Sequence, residues 1–405
     1  MTLWLSMGML FTLAAVVVVL IKWWNIRCIG VTPVSTITFI AILFTSGLDV
    51  GLIMFPLTEF GGYADLAESP EYGFANPLAI EFGFWGFLIW GFYFLTCFYF
   101  CIIEPKVQFF QIRWVKWVNN AVIIGTCAFT AFLLLINLPW YLPQLGDGES
   151  VIPIFYLIVL ACIAAAVYSS SDFKYVRILS LGSSILFMLL IAMMWSSAFL
   201  TGQGSRKDFF VTAALITEYF TNLHHFILPI NDYHEFYLYW WFAWSIMIGQ
   251  FTARFVSGLK TWQLMLAMLI FPSAAIGTWF TVLYHYHAED LSISTWISFA
   301  MISVGILMVI NSLDSLIRLY SENLKLAPRH IGMGKYLVGN FIAMCGLTAL
   351  FQLDFLRIQW VGALVIAIYF ASFVYIMISK RKEVFSITGS PPENTLDFTR
   401  IEKTA

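Results

Sequence analysis

GFWGFLIWGFY, residues 83–93, sets Trp85, Trp90 and Tyr93 inside a run that is otherwise apolar. The rest of the chain has the same character: 60% of its 405 residues are hydrophobic, 11% are charged, and the mean hydropathy is +0.84. A water-soluble globule of that length has too little interior to hide such a balance, so the sequence reads as an all-α integral membrane protein. The aromatic residues then stand in lipid or in a protein interior surrounded by it. At 1.5 Å per helical residue, Trp90 and Tyr93 lie about 15 Å and about 20 Å from the outer end of a run that begins at residue 80. That is too deep for interfacial anchors, and their N–H and O–H groups need polar partners there.

Outward from this stretch, runs of about 20 apolar residues, enough to cross the hydrocarbon layer, recur along the chain. They lie near residues 3–22, 33–56, 80–103, 119–139, 152–169, 177–200, 236–257, 262–285, 292–317, 335–352 and 356–379, which predicts eleven crossings. The first lacks the basic start and small-residue cleavage site of a signal peptide and is read as a helix. If Lys22 and Arg27 face the cytoplasm, alternation places eighteen of the 21 Lys and Arg residues on that side, leaving Arg206, Lys207 and Arg357 outside. So lopsided a split assigns an outside N-terminus and a cytoplasmic C-terminus in the cytoplasmic (inner) membrane. The outer loops carry Glu59, Asp65, Glu68 and Glu71, a face that mildly concentrates cations.

A net charge of -2, with neither a basic arm nor a Gly-rich phosphate loop, excludes a nucleic-acid partner. The six cysteines lie in or beside apolar runs without metal or redox spacing and read as small core hydrophobes. His285, His287 and Glu289 sit at an outer helix end without a fourth ligand, so no metal site is expected. No constellation for covalent catalysis emerges, and the chain is read as a non-enzyme without a cofactor.

Trp240, Trp241 and Trp244 of FYLYWWFAW, residues 236–244, share an arc of about 100° on a helix. Treated as one helix, residues 83–93 likewise gather Trp85, Trp90 and Tyr93 on one broad face. Two such faces brought together form a cage whose ring quadrupoles attract a cation, worth about 0.5–2 kcal/mol per ring. A methylated ammonium group fits best, because it has no hydrogen bond to donate. In TSGLDVGLIMFPLTEF, residues 45–60, Gly47, Gly51 and Pro56 weaken a helix in mid-membrane, where free backbone groups are tolerated only beside a cavity or an ion. Asp49 is the only carboxylate placed well inside a run, and it reads as a proton carrier or cation partner. In VINSLDSLIRLY, residues 309–320, Asn311 and Ser312 are candidate oxygen ligands, while Asp314 is expected to pair with Arg318 at i, i+4.

WWFAWSIMIGQFTARFVSGLKTWQLMLAMLIFPSAAIGTWFTVLY, residues 240–284, resembles the betaine/carnitine/choline transporter (BCCT) family, which shares a WWxxW box, a basic turn and a proline-led helix. SGLDVGLIMFPLTEF and FWGFLIWGFYF are similar to the family's glycine motif and its HWGxHAWxxY motif, in the family's order. The resemblance covers roughly residues 22–320. It implies a LeuT-like core of two inverted five-helix repeats, with substrate held in an aromatic box. By that likeness Trp85, Trp90, Tyr93 and Trp241 are box residues, flanked by Trp240 and Trp244. Glu59 closes the glycine motif, and the Leu48 carbonyl and Ser312 match ion-ligating positions of sodium-coupled members. Asp49 stands where the motif has glycine and Asn311 where those members have threonine; the family's usual first helix has no counterpart, so a shortened member is expected.

The organisation expected is an extra N-terminal helix in residues 1–32, a first repeat in 33–200, an outer amphipathic segment in 201–235, a second repeat in 236–382 and a cytoplasmic tail in 383–405. The function expected is ion-coupled import of choline, glycine betaine or a carnitine-like compound by alternating access, with H+ or Na+ as coupling ion. Expected partners are that methylammonium substrate, membrane lipid and either a homotrimer or a membrane complex. The alternative is a transporter-derived, non-transporting scaffold subunit.

Overall fold

The computed structural model describes residues 1–48 and 51–388; Asp49 lies outside the described residues. Among the described residues every apolar run of the sequence is largely helical. The helices are α1 (Thr2–Trp23), α2 (Thr36–Ser46), α3 (Gly51–Ala64), α4 (Pro77–Trp85), α5 (Leu88–Phe98), α6 (Arg113–Tyr141) and α7 (Pro153–Ser169). Then come α8 (Phe173–Leu200), the short α9 (Arg206–Ala214), α10 (Asp232–Thr252), α11 (Thr261–Ala288), α12 (Thr295–Asn323), α13 (Met333–Gln352) and α14 (Ile358–Tyr375). Their starts follow capping chemistry: the side chain of Ser35 accepts from Thr38 N, that of Asn76 from Ala79 N ahead of Pro77, and that of Asn231 from His234 N.

By length and apolarity, eight described helical segments are able to cross a membrane, and nine if α2 and α3, inclined at 53°, make one span. The eleven expected crossings exceed this by two. Helix α7 has 17 residues, and α10 opens with the polar stretch Asp232–Glu235. The architecture is that of an all-α, multi-pass membrane protein.

Helix α10 lies at the centre, packed between α5 and α14. Glycines set that spacing: a Cβ on Gly249 would meet Thr96 Oγ1 at 2.0 Å, and one on Gly362 would meet the Tyr239 carbonyl oxygen at 2.2 Å. Helix α12 packs on α6, α7 and α8, and α2 on α8. Among the described residues the only departure from helix and loop is a two-stranded antiparallel ribbon of β1 (Arg27–Ile29) and β2 (Ser257–Lys260). It joins the chain after α1 to the turn between α10 and α11. Nearby, Arg254 and Arg318 share the carboxylate of Glu322, the second at 2.8 Å.

Residues 201–235, expected as an outer amphipathic segment, are built from short helices. They run as α9 and two shorter helical turns, Thr217–Thr221 and Leu223–Phe226, laid against α4 and α11. The glycine of the opening stretch, Gly83, is filled by Phe226, whose ring stands 2.1 Å from the place a Cβ would take.

Candidate functional site

The run around residues 83–93 is not one helix. Helix α4 ends at Trp85, and Gly86 (φ −101°, ψ 172°) and Phe87 (φ 41°, ψ −75°) interrupt it before α5 begins at Leu88. Phe87 holds a left-handed φ that bulky residues rarely adopt, so the break is imposed by its surroundings. The freed backbone groups are closed by side chains. Trp241 Nε1 donates to Phe84 O at 2.8 Å and Trp90 Nε1 to Trp85 O at 3.1 Å. Phe87 N donates to Ser273 Oγ at 2.8 Å and Leu88 N to Tyr219 Oη at 3.3 Å. Irregular backbone at this depth persists because these four groups find partners in the protein.

Because of this break, face arithmetic does not carry from Trp85 to Trp90, and the single broad aromatic face expected of a continuous helix is corrected. Convergence comes from the fold instead. The Trp85 ring stands edge-on to Trp241 (5.2 Å, 76°), Trp240 (5.6 Å, 80°) and Tyr237 (5.7 Å, 73°). Trp240 and Trp241 stack at 5.1 Å and 6°. Tyr93 is edge-on to Trp90 at 5.1 Å and to Trp241 at 6.5 Å, which joins the two groups. Trp244 lies at the rim and meets the cluster through Trp240. All seven rings are buried.

Beside this cluster α2 ends at Gly47, where a Cβ would sit 3.2 Å from the Trp90 ring and 3.3 Å from the Tyr93 ring. The Ser312 hydroxyl of α12 reaches across to Leu48 O at 2.5 Å and Thr45 O at 3.3 Å. Ser46 and Ser315 share a hydrogen bond at 2.9 Å on the same seam. On the far side of the α2–α3 interruption, Trp279 Nε1 donates to Leu52 O at 2.9 Å. Leu48 and Ser312 are thus brought together. Asn311 turns the other way: its Nδ2 donates to Ser183 Oγ of α8 at 2.7 Å, and its Oδ1 has no partner among the described residues.

The expected Asp314–Arg318 pair is not formed. Arg318 pairs with Glu322, and Asp314, wholly buried, accepts hydrogen bonds from Ser169 of α7 and from Ser315 at 3.2 Å. The expectation of a single deep carboxylate is corrected as well, for Glu81 on α4, like Asp314, is wholly buried. Glu81 Oε2 accepts from Tyr63 Oη at 2.8 Å, and Tyr63 Oη lies 3.4 Å from Glu59 Oε2. Glu59 Oε1 accepts from Tyr233 Oη at 2.6 Å. Its spacing of four from Trp85, one helical turn, marked Glu81 in the sequence as sharing that face.

Outside the spans, Asn231 Nδ2 donates to Glu71 Oε1 at 2.7 Å and to Tyr72 Oη at 2.8 Å. The first bond holds the Glu71 carboxyl below its ordinary pKa, while burial pushes the Tyr72 phenol up to about 12, so Tyr72 stays neutral. Among the described residues no group of His, Cys, Asp and Glu is arranged to hold a metal ion.

Two interrupted helices, a buried aromatic cluster between them and apolar helices all around define a helical membrane protein with a polar interior seam. No known protein-family profile matches the chain. Over 294 residues, 61% of its length, it is 24% identical to a protein of Haemophilus influenzae described as an uncharacterized transporter. The matched stretch spans 42% of that protein.

Proposed function

We propose that the chain is a secondary active transporter of the inner membrane that imports a quaternary ammonium compound by alternating access, coupled to H+ or Na+. The observation that carries this reading is the meeting of rings from α4, α5 and α10, far apart in the chain, in one buried cluster against the interrupted end of α2. Rings arranged edge-to-face leave π faces to receive a methyl-coated cation once they part, and broken helices supply carbonyls for an ion. The distant likeness to a transporter agrees with it. In this reading the core is LeuT-like, with residues 33–200 and 236–382 as inverted repeats, and the N-terminus is outside; the resemblance of its sequence motifs to those of the BCCT family supports this reading.

The test is uptake of labelled choline, glycine betaine and carnitine into proteoliposomes under separate H+ and Na+ gradients. Uptake of at least one is expected, with Trp241→Ala abolishing it while the protein remains monodisperse. Uptake by Trp241→Ala at the wild-type rate would remove the aromatic cluster from the mechanism.

A second reading has an observation behind it. Trp241 and Trp90 spend their N–H groups closing the α4 break, which is what a purely structural cluster would do. A non-transporting scaffold of this fold leaves its tryptophan fluorescence unchanged by any methylated cation; the transporter does not.

A further inference from the structure

We propose that Glu81 and Glu59, bridged by the phenol of Tyr63, form a proton-binding site whose state is passed to the aromatic cluster through Trp85. Its consequence for uptake rests on the transport reading; the proton binding itself does not.

Tyr63 has one hydrogen to give to two carboxylates, and geometry favours Glu81 Oε2 at 2.8 Å over Glu59 Oε2 at 3.4 Å. Glu59 receives a second donor in Tyr233, and both of these residues reach the surface, so this end of the cluster meets water. Glu81 does not: it is wholly buried, and its Oε1 makes no hydrogen bond of ordinary geometry. The indole N–H of Trp85, one turn along α4, is also without such a bond and lies near the Glu81 carboxyl.

The groups around the pair supply no positive charge. From α3 come Glu59 and Tyr63, from the loop before α4 Glu71 and Tyr72, and from α10 Tyr233 and Tyr237. His234 of α10 stacks on Phe84 at 4.6 Å, and its Nδ1 accepts from Ile230 N at 3.2 Å. Tyr284 and His287 of α11 contact Phe60 rather than either carboxylate. Among the described residues no ion pair involves Glu59 or Glu81.

Two carboxylates that share one phenol, in a medium that solvates charge poorly and without a cation, hold a proton between them more readily than two negative charges. The protonated pair keeps one negative charge on the water-facing end. When the proton leaves, Glu81 Oε1 becomes a full acceptor and draws the Trp85 N–H into a charge-assisted bond. That moves a ring which stands edge-on to Trp240, Trp241 and Tyr237. The site therefore links a proton taken from the Glu59 side to the packing of the cluster.

The test uses the full chain in liposomes. Infrared difference spectra across a pH step are expected to show a carboxylic C=O band that is lost in Glu81→Gln, with loss of the matching pH-dependent change in tryptophan fluorescence. Tyr63→Phe keeps both carboxyls and is expected to shift the midpoint of the band. In Na+-free medium, stimulation of labelled choline uptake by an inward proton gradient is expected to disappear in Glu81→Gln. An unchanged band in Glu81→Gln, or an unshifted midpoint in Tyr63→Phe, overturns the proposal even where the wild type transports choline. A Glu81-dependent band in a protein that takes up no methylated cation keeps the proton site and overturns the transport reading instead.

Discussion

Trp241 acts twice in this structure: its N–H closes the carbonyl of Phe84 and its ring lies edge-on to Trp85. Trp241→Ala removes both, so its effect alone does not separate recognition from support of the α4 break. Trp241→Phe separates them, because it keeps a ring and drops the hydrogen bond. Affinity for the preferred methylated cation, read as quenching of tryptophan fluorescence, is expected to fall about tenfold in Trp241→Phe and to vanish in Trp241→Ala. The sequence showed these tryptophans by type and spacing. It did not show which of their N–H groups would be engaged, since the partners of Trp241 and Trp279 are carbonyls 157 and 227 residues away.

At the scale of elements, the interruption between α4 and α5 is held by partners on other segments. Ser273→Ala leaves the half-buried Phe87 N–H without that partner, which costs about 1 kcal/mol and is measured as a lowered melting temperature in detergent. The α5–α10 seam is equally exacting. Gly249→Ala drives a methyl into Thr96 and the Cys97 backbone, with an expected loss of about 1–3 kcal/mol, and substitution of the open Gly91 on the same seam's helix serves as the control. The α4–α5 break was hidden in the sequence for a plain reason. A single glycine in an apolar run is compatible with a continuous helix, and the strained residue, Phe87, is one that local preference would never put there. The Asp314–Arg318 expectation failed because the i, i+4 rule offers Arg318 two acidic partners, Asp314 and Glu322, and the choice between them fell to Ser169, 145 residues away on α7, which takes Asp314.

Across the whole molecule, the basic residues predict a sidedness that labelling tests directly. With a membrane-impermeant maleimide on intact cells, a cysteine at Glu68 is expected to react and one at Lys325 is not; the reverse pattern inverts the topology. The native cysteines, buried except for half-buried Cys345, give little background. What the sequence determined by itself was the solvent and the element type, because apolar runs of bilayer length leave the backbone no choice but helix. It also determined the inventory of rings and hydroxyls available for a site. Only the tertiary structure decided that the helix breaks at Gly86 and Phe87, which ring meets which, and that Glu81 is buried beside Glu59 on a shared phenol. Those outcomes depend on contacts between segments far apart in the chain, and no local periodicity encodes which distant atom will fill a vacated hydrogen bond.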